Sequence, residues 1–288
     1  MAQMVFTQEG HLSDRTKTSI ERIQMFVPRD KPYYLAFSGG KDSIVIKDLC
    51  EKAGVSFETH HNLTGIDPPD LYRYMKKEHT DVIYHRPGEA YFQLIKINGL
   101  PSRWTRWCCS VFKEGGGNGR TVITGVRWSE SNARSKRQEI EFDRYGSQSK
   151  DAIKNRLTFE NEGDDEKRRM IEACQTKGKH ILNPIIDWTD KDVWAYIKKN
   201  ELPYCELYDC GFDRIGCVGC PLASPKNRLK AFERYPQFER AYIRSIDHIL
   251  NHYLPEHGWK HDYVDAKDCF DDWVQNGMSS RLTKCRGA

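Results

Sequence analysis

The sequence predicts an α/β protein with a doubly wound, mostly parallel sheet, followed by a helical, cysteine-containing C-terminal extension. Three observations carry this. Short apolar runs alternate with helix-period segments over the first half of the chain. The first run passes straight into Ser38-Gly39-Gly40 and then a helix pattern. Beyond residue 200 the remaining periodic segments are all helical.

The elements follow in order. Residues 14–26 read as a polar helix, and Tyr33-Tyr34-Leu35-Ala36-Phe37 as a short buried strand. Ile44 to Ala53 has helical periodicity and is stopped by Gly54. Val55–His60 is a second strand, and Pro68-Pro69 opens a helix through Glu78. Asp81–His85 is a third strand, Ala90–Ile97 a third helix and Thr121–Val126 a fourth strand. Strands separated in this way pair in parallel, with helices covering both faces. Residues 143–180 are polar, with a charged run from Glu160 to Arg169, and read as a solvated insertion. A lid that clamps substrate is the sharper alternative. Thr189 and Asp192 form a capping-box pattern for a helix to Lys199. Helices are expected at Pro225–Tyr235, Gln237–Tyr253 and Ala266–Asn276. The expected organisation is an N-terminal helical segment (1–30), an α/β domain (31–200) and a C-terminal extension (201–288).

Composition narrows the function. Hydrophobic residues make up 38% and charged residues 30% of 288, as in a soluble globular chain. No run approaches the roughly 18 apolar residues that span a bilayer, so no membrane partner is expected. The first ten residues lack a basic segment followed by an apolar one, so a cytoplasmic location is expected. A net charge of +4 permits anionic ligands without demanding nucleic acid. Ten cysteines in such a chain favour metal or redox chemistry over disulfides.

The strand–loop–helix at Ser38-Gly39-Gly40-Lys41-Asp42-Ser43 is a phosphate-binding arrangement. A helix N-terminus offers unpaired N–H groups and partial positive charge. The glycines let backbone approach a phosphate, Lys41 adds a full charge, and the two serines offer hydroxyl donors. The GxxxxGK[ST] spacing of a Walker loop is absent. The plainer alternative is an ordinary strand-to-helix turn.

Ser-Gly-Gly-Lys-Asp-Ser resembles the PP-loop of the adenine-nucleotide α-hydrolase-like superfamily, a Rossmann-like fold. Within it the chain resembles the phosphoadenosine phosphosulfate (PAPS) reductase family. Thr64-Gly65-Ile66-Asp67-Pro68-Pro69 is similar to the turn after that family's second strand. Gly125-Val126-Arg127-Trp128-Ser129-Glu130-Ser131, with Arg134 behind it, is similar to its nucleotide-facing Gly-x-Arg segment. Trp188-Thr189-Asp190-Lys191-Asp192-Val193-Trp194 is similar to its W-x-x-x-D-V-W helix start. The resemblance covers about residues 30–225. It implies nucleotide contacts from residues 38–43, Asp67, Gly125, Arg127 and Arg134, with Lys41 and Arg127 acting on the leaving phosphate. A guanidinium grips phosphate in a fork, although both arginines also read as basic surface. Asp67 reads equally as a ribose or metal contact and as a helix cap.

Cys108-Cys109 and Cys217-Val218-Gly219-Cys220 resemble the [4Fe–4S] site of adenylyl sulfate (APS) reductases, with Cys205 or Cys210 as alternative ligands. A structural zinc site, a redox disulfide at Cys217/Cys220 and unconnected buried thiols are the competing readings. Arg106, Lys113 and Arg214 would help hold thiolates ionised. Cys50 reads as core and Cys174 as incidental.

The resemblance breaks at the tail. Assimilatory reductases end in Glu-Cys-Gly-Leu/Ile-His, whose cysteine attacks sulfur. Here the chain ends Thr283-Lys284-Cys285-Arg286-Gly287-Ala288, with only Cys285 in place. A passenger thiol is the plainer reading of it. Three function classes follow. One is reduction of APS or PAPS to sulfite, with a thiol or sulfur-donor protein as partner. Another is an ATP pyrophosphatase, using Mg²⁺ with ATP, in sulfur transfer such as DNA phosphorothioation or tRNA thiolation. The last is a non-catalytic nucleotide sensor. A nucleic-acid partner rests on Arg103-Trp104-Thr105-Arg106-Trp107, Arg134-Ser135-Lys136-Arg137 and residues 226–230, which also read as amphipathic surface.

Overall fold

In the computed structural model, residues 8–102, 105, 107–132, 134–144, 178–277 and 281–284 are described. Helix α1 spans Gln8–Met25. Strand β1 (Tyr33–Ala36) follows, and its first three side chains are buried. Helix α2 (Lys41–Ala53) starts three residues before its apolar periodicity does. The loop glycine Gly40 is its N-cap, so the charged residues Lys41 and Asp42 occupy its first turn. Gly54 ends it at φ 67°, its N–H closing on the carbonyls of Cys50 and Glu51.

Strand β2 (Phe57–Asn62), helix α3 (Pro69–Glu78), strand β3 (Ile83–His85) and helix α4 (Tyr91–Asn98) match the expected order. A short helix α5 (Trp107–Phe112) carries the tandem cysteines, where no element was expected. Strand β4 (Thr121–Ile123) is shorter than expected and leads to 3₁₀ turns at Trp128–Glu130 and Arg134–Lys136.

Strands β5 (Ile140–Arg144) and β6 (Gly178–Leu182) lie at the two ends of the polar insertion. The rest of that insertion, with Cys174 and any lid, lies outside the described residues. Helix α6 (Asp190–Lys199) has the expected box: Asp192 N–H donates to Thr189 Oγ1 (3.3 Å), and Thr189 N–H to Asp192 Oδ2 (2.7 Å).

The sheet order is β3-β2-β1-β4-β6-β5. β1 is parallel to β2 and β4, with Leu35 opposite Thr59 and Ile123. β4 is parallel to β6, with Ile123 opposite Leu182. β5 is antiparallel to β6, which makes the sheet mostly parallel. The chain winds outward from β1 to β3 and returns at β4 on the other side of β1. The carboxyl ends of β1 and β4 therefore flank the point where open α/β sheets bind ligands.

The chain resolves into two compact units. The first comprises 1–61, 78–83 and 116–204. Its core holds Tyr33, Leu35, Phe37, Ile46, Leu49, Ile123, Leu182 and Trp188. Helices α1, α2 and α6 pack on one another there. Cys50 is fully buried in α2, as its apolar setting suggests, and burial pushes its thiol up to about 12.

The second unit comprises 62–77, 84–115 and 205–288, so it draws in two earlier segments besides the C-terminal extension. Its C-terminal segment contributes helices α7 (Pro225–Arg234), α8 (Pro236–His248) and α9 (Ala266–Asn276). A π-helical turn at Ile249–Tyr253 continues α8, where plain helix was expected. Helix α8 packs on α4, α7 and α9. Its Tyr242 and α9's Trp273 stack at 5.0 Å between ring centres, and both are fully buried. Strands β7 (Trp259–His261) and β8 (Leu282–Lys284) form a small antiparallel pair that the sequence did not suggest. Among the described residues no helix is long and apolar enough to cross a membrane.

Candidate functional site

In the first unit the turn between β1 and α2 is tied by its own serines. Gly40 N–H donates to Ser38 Oγ (3.3 Å), which lies 3.2 Å from Ser43 Oγ. Ser43 Oγ donates to Gly40 O at 2.8 Å. Gly39 sits at φ 71°, a left-handed conformation that glycine adopts without Cβ strain.

Charged groups close around this loop. The Lys41 side chain is 6% exposed, with Nζ 3.2 Å from Asp190 Oδ1 and 3.7 Å from Asp42 Oδ2. Arg127 leaves the end of β4 and is 3% exposed. Its Nε donates to Asp42 Oδ1 (2.7 Å) and its Nη2 to Asp190 Oδ1 (3.0 Å). Its Nη1 donates to Ser129 Oγ (3.1 Å). Burial raises the Asp42 carboxyl, opposed by the charges of Lys41 and Arg127. Gly125 permits this approach: a Cβ there would stand 2.8 Å from Asp42 Cβ.

The loop, Gly125 and Arg127 are thus brought together, and Arg127 is locked into carboxylate pairs rather than held out as basic surface. Arg134 lies in the same unit, in an ion pair with Glu130. Asp190 is a charged member of this cluster that the sequence suggested only as a helix-start residue.

In the second unit the CxxC loop meets the turn after β2. Val218 N–H donates to Ile66 O at 2.8 Å. Cys217 Sγ donates to Thr64 Oγ1 (3.6 Å) and lies 4.0 Å from Asp67 Oδ1. The Asp67 carboxylate accepts the Thr64 N–H at 2.8 Å, so it caps its own turn beside a cysteine.

The tandem pair and the CxxC act on each other electrostatically. The Cys108 thiol is raised by its hydrogen bond with Cys109, by burial and by the charges of Cys109, Cys217 and Cys220. Burial raises Cys217 too, and the Lys113 ammonium opposes this. Lys113 is in turn raised by Cys217 first, then by Asp67 and Cys220 against its own desolvation. Arg106 lies outside the described residues and Arg214 is exposed. Cys205 is buried in the field of Asp70, Glu206 and Arg234, and Cys210 is exposed with the Arg234 guanidinium at 3.7 Å. Cys285 lies outside the described residues.

Two tyrosines missed by sequence reasoning brace these loops. Tyr91, 3% exposed, stacks on Trp107 at 5.7 Å, next to Cys108. Its hydroxyl is 2.9 Å from that of fully buried Tyr242, which donates to Val218 O at 3.3 Å inside the CxxC. Gly219, at φ 75°, fits against Phe232 and Tyr242, where a Cβ would come within 2.8 Å and 3.1 Å. The donor set is all sulfur, which suits an iron–sulfur cluster or zinc. Among the described residues no three His, Cys, Asp or Glu side chains already stand in metal-holding geometry.

Residues 32–223 match the model of the phosphoadenosine phosphosulfate reductase domain. An uncharacterized protein of Methanocaldococcus jannaschii is 27% identical over 274 residues, 89% of this chain and 50% of that protein. A second from the same organism is 31% identical over 218 residues, 72% of this chain and 46% of that protein. The chain therefore spans about half the length of these two relatives. The adenosine 5'-phosphosulfate reductase of Bacillus anthracis is 25% identical over 199 residues, 65% of this chain and 74% of that protein. Among solved structures, a phosphate complex of the Candida auris PAPS reductase gives a TM-score of 0.46 at 22% identity. It covers 75% of this chain and 98% of that one. The U34-tRNA thiolase NcsA from Methanococcus maripaludis, with its [4Fe-4S] cluster, gives 0.41 at 14% identity, covering 81% and 76%.

Proposed function

Because the chain belongs to the phosphoadenosine phosphosulfate reductase family, a family of enzymes, we propose that it binds an adenine nucleotide at residues 38–43 and reduces APS or PAPS to sulfite. The observation that carries this reading is that Cys108 lies in the field of Cys109, Cys217 and Cys220, with the Lys113 ammonium beside Cys217, in a chain that also builds the Lys41 loop. The α2 N-terminus and Lys41 would take the nucleotide phosphate, with Ser38 and Ser43 donating to its oxygens. Arg127 holds Asp42 and Asp190 in place around it, and Arg134 would complete the nucleotide contacts.

A thiolate then attacks the sulfur of the substrate. The S–O bond to the nucleotide phosphate breaks and its electron pair leaves with the nucleotide, whose growing charge Lys41 offsets. The sulfonate stays on the attacking sulfur until a second thiol displaces it as sulfite. The two thiols end as a disulfide, having supplied two electrons. Cys285 is the chain's own candidate for the attacking thiol, and a thiol donor protein would supply the second. The four cysteines would hold a [4Fe–4S] cluster, whose core charge would offset that of its own thiolate ligands, or a structural zinc.

Anaerobic protein given APS or PAPS and a dithiol is expected to release sulfite. No sulfite from either substrate would overturn the reading. An unchanged rate in Cys285→Ser would remove the tail thiol from it. Lys284 and Arg286 flank Cys285 where assimilatory reductases have Glu and Gly, which favours a second reading. In that reading the loop cleaves Mg²⁺–ATP to AMP and pyrophosphate for sulfur transfer to a nucleic acid. Pyrophosphate release dependent on added tRNA or DNA, without sulfite, would establish it.

A further inference from the structure

The phosphate loop is charge-balanced by its own protein groups. Two cations, Lys41 and Arg127, are paired with two carboxylates, Asp42 and Asp190. The carboxylates differ in how firmly they are committed. Asp42 is 22% exposed, lies at the start of α2, accepts Arg127 Nε at 2.7 Å and has Gly125 packed against its Cβ. Asp190 is 60% exposed and reaches Lys41 from the first position of α6. The helix does not need its side chain as a cap, because Thr189 and Asp192 close that end themselves. A phosphate arriving at Lys41 would meet the negative charge of Asp190 about one ion pair away, and the two would compete for one ammonium.

We propose that Asp190 is a specificity-determining residue: the counter-ion that an incoming phosphate displaces from Lys41, so that it tunes affinity to ligand charge. This rests on the reading of residues 38–43 as a nucleotide site. Its sign is definite. Neutralising Asp190 removes a repulsion and strengthens binding, although it also deletes two ion pairs.

The test is calorimetric titration of wild type and Asp190→Asn with adenosine, AMP and ATP. Asparagine keeps an acceptor for Arg127 without the charge. Asp190→Asn is expected to bind ATP about tenfold tighter and AMP by a smaller factor, with adenosine unchanged. The gain should shrink in high salt, where the charge is screened. Asp190→Glu, which keeps the charge, should stay close to wild type. Equal or weaker ATP binding by Asp190→Asn would overturn the proposal and make Asp190 an orienting partner of Lys41. So would a gain equal for adenosine and ATP. Asp190→Ser removes the same charge and repeats the measurement if the asparagine variant does not fold. A wild type that binds none of the three ligands would overturn the nucleotide-site reading itself.

Discussion

The phosphate loop and the cysteine loops handle charge in opposite ways. Around Lys41 every charge has an opposite neighbour: Lys41 and Arg127 face Asp42 and Asp190. Folding alone completes that site, and its burial is tolerable because the ions compensate each other. Around Cys217 the groups are alike. Cys108, Cys217 and Cys220 raise one another or their neighbours, and the Lys113 ammonium opposes this at Cys217. Burial adds to this at Cys108 and Cys217, whose thiols are both pushed up. The first cluster is thus closed by opposite charges, whereas the second sets like groups around one ammonium.

The largest expected effect breaks the second half of that contrast. Cys217→Ser should reduce bound iron and sulfide from about four each per chain to background, by elemental and labile-sulfide analysis. Cys205→Ser should leave both unchanged. Zinc without sulfide in the wild type would replace the cluster with a zinc site. Next, Arg127→Ala should cost about 3 kcal/mol in denaturant unfolding, because it strands the largely buried Asp42 beside a single lysine. A loss near 1 kcal/mol would mean that water reaches that carboxylate.

A third prediction tests whether the second unit also contains a charge-completed pair. Asp70 is 7% exposed. Burial acts to raise its carboxyl, but hydrogen bonds from Tyr235 and Arg234 hold it down at about 2. A carboxylate whose pKa is lowered by folding stabilises above its unfolded pKa of about 3.9 and loses that contribution as pH falls toward 2. The wild type should lose about 2 kcal/mol over this window relative to Asp70→Asn, in melting curves taken from pH 5 to 2. Parallel acid limbs for the two proteins would refute it. The smallest effect sharpens the bracing role of the tyrosines. Tyr242→Phe should cost about 1 kcal/mol and speed metal loss to a chelator, while Tyr263→Phe, whose hydroxyl bonds Asp272, should not alter chelation.

Much of the fold was legible where a residue with one strong conformational preference stands at a boundary. Gly54 takes left-handed φ at the end of α2, and Thr189 caps α6. Strand β5 was not legible, because Ile140-Glu141-Phe142-Asp143-Arg144 sits in a polar stretch and owes its state to pairing with β6. The loop residues 38–43 declared themselves by glycine and charge next to a strand. Asp190 and the Tyr91–Tyr242 pair did not, since an aspartate in a helix's first turn and tyrosines on apolar helix faces have ordinary local reasons to be there. Their significance comes only from what long-range folding sets beside them.

Strand β5 also says something about how the chain tolerates change. Arg144 and Gly178 are paired partners at the open end of the β5–β6 ladder, so the chain departs and returns across a single rung. Arg144 and Gly178 therefore mark one seam of the sheet, a natural graft point where a short turn or a foreign module could join them while Ile140 and Leu182 keep their register.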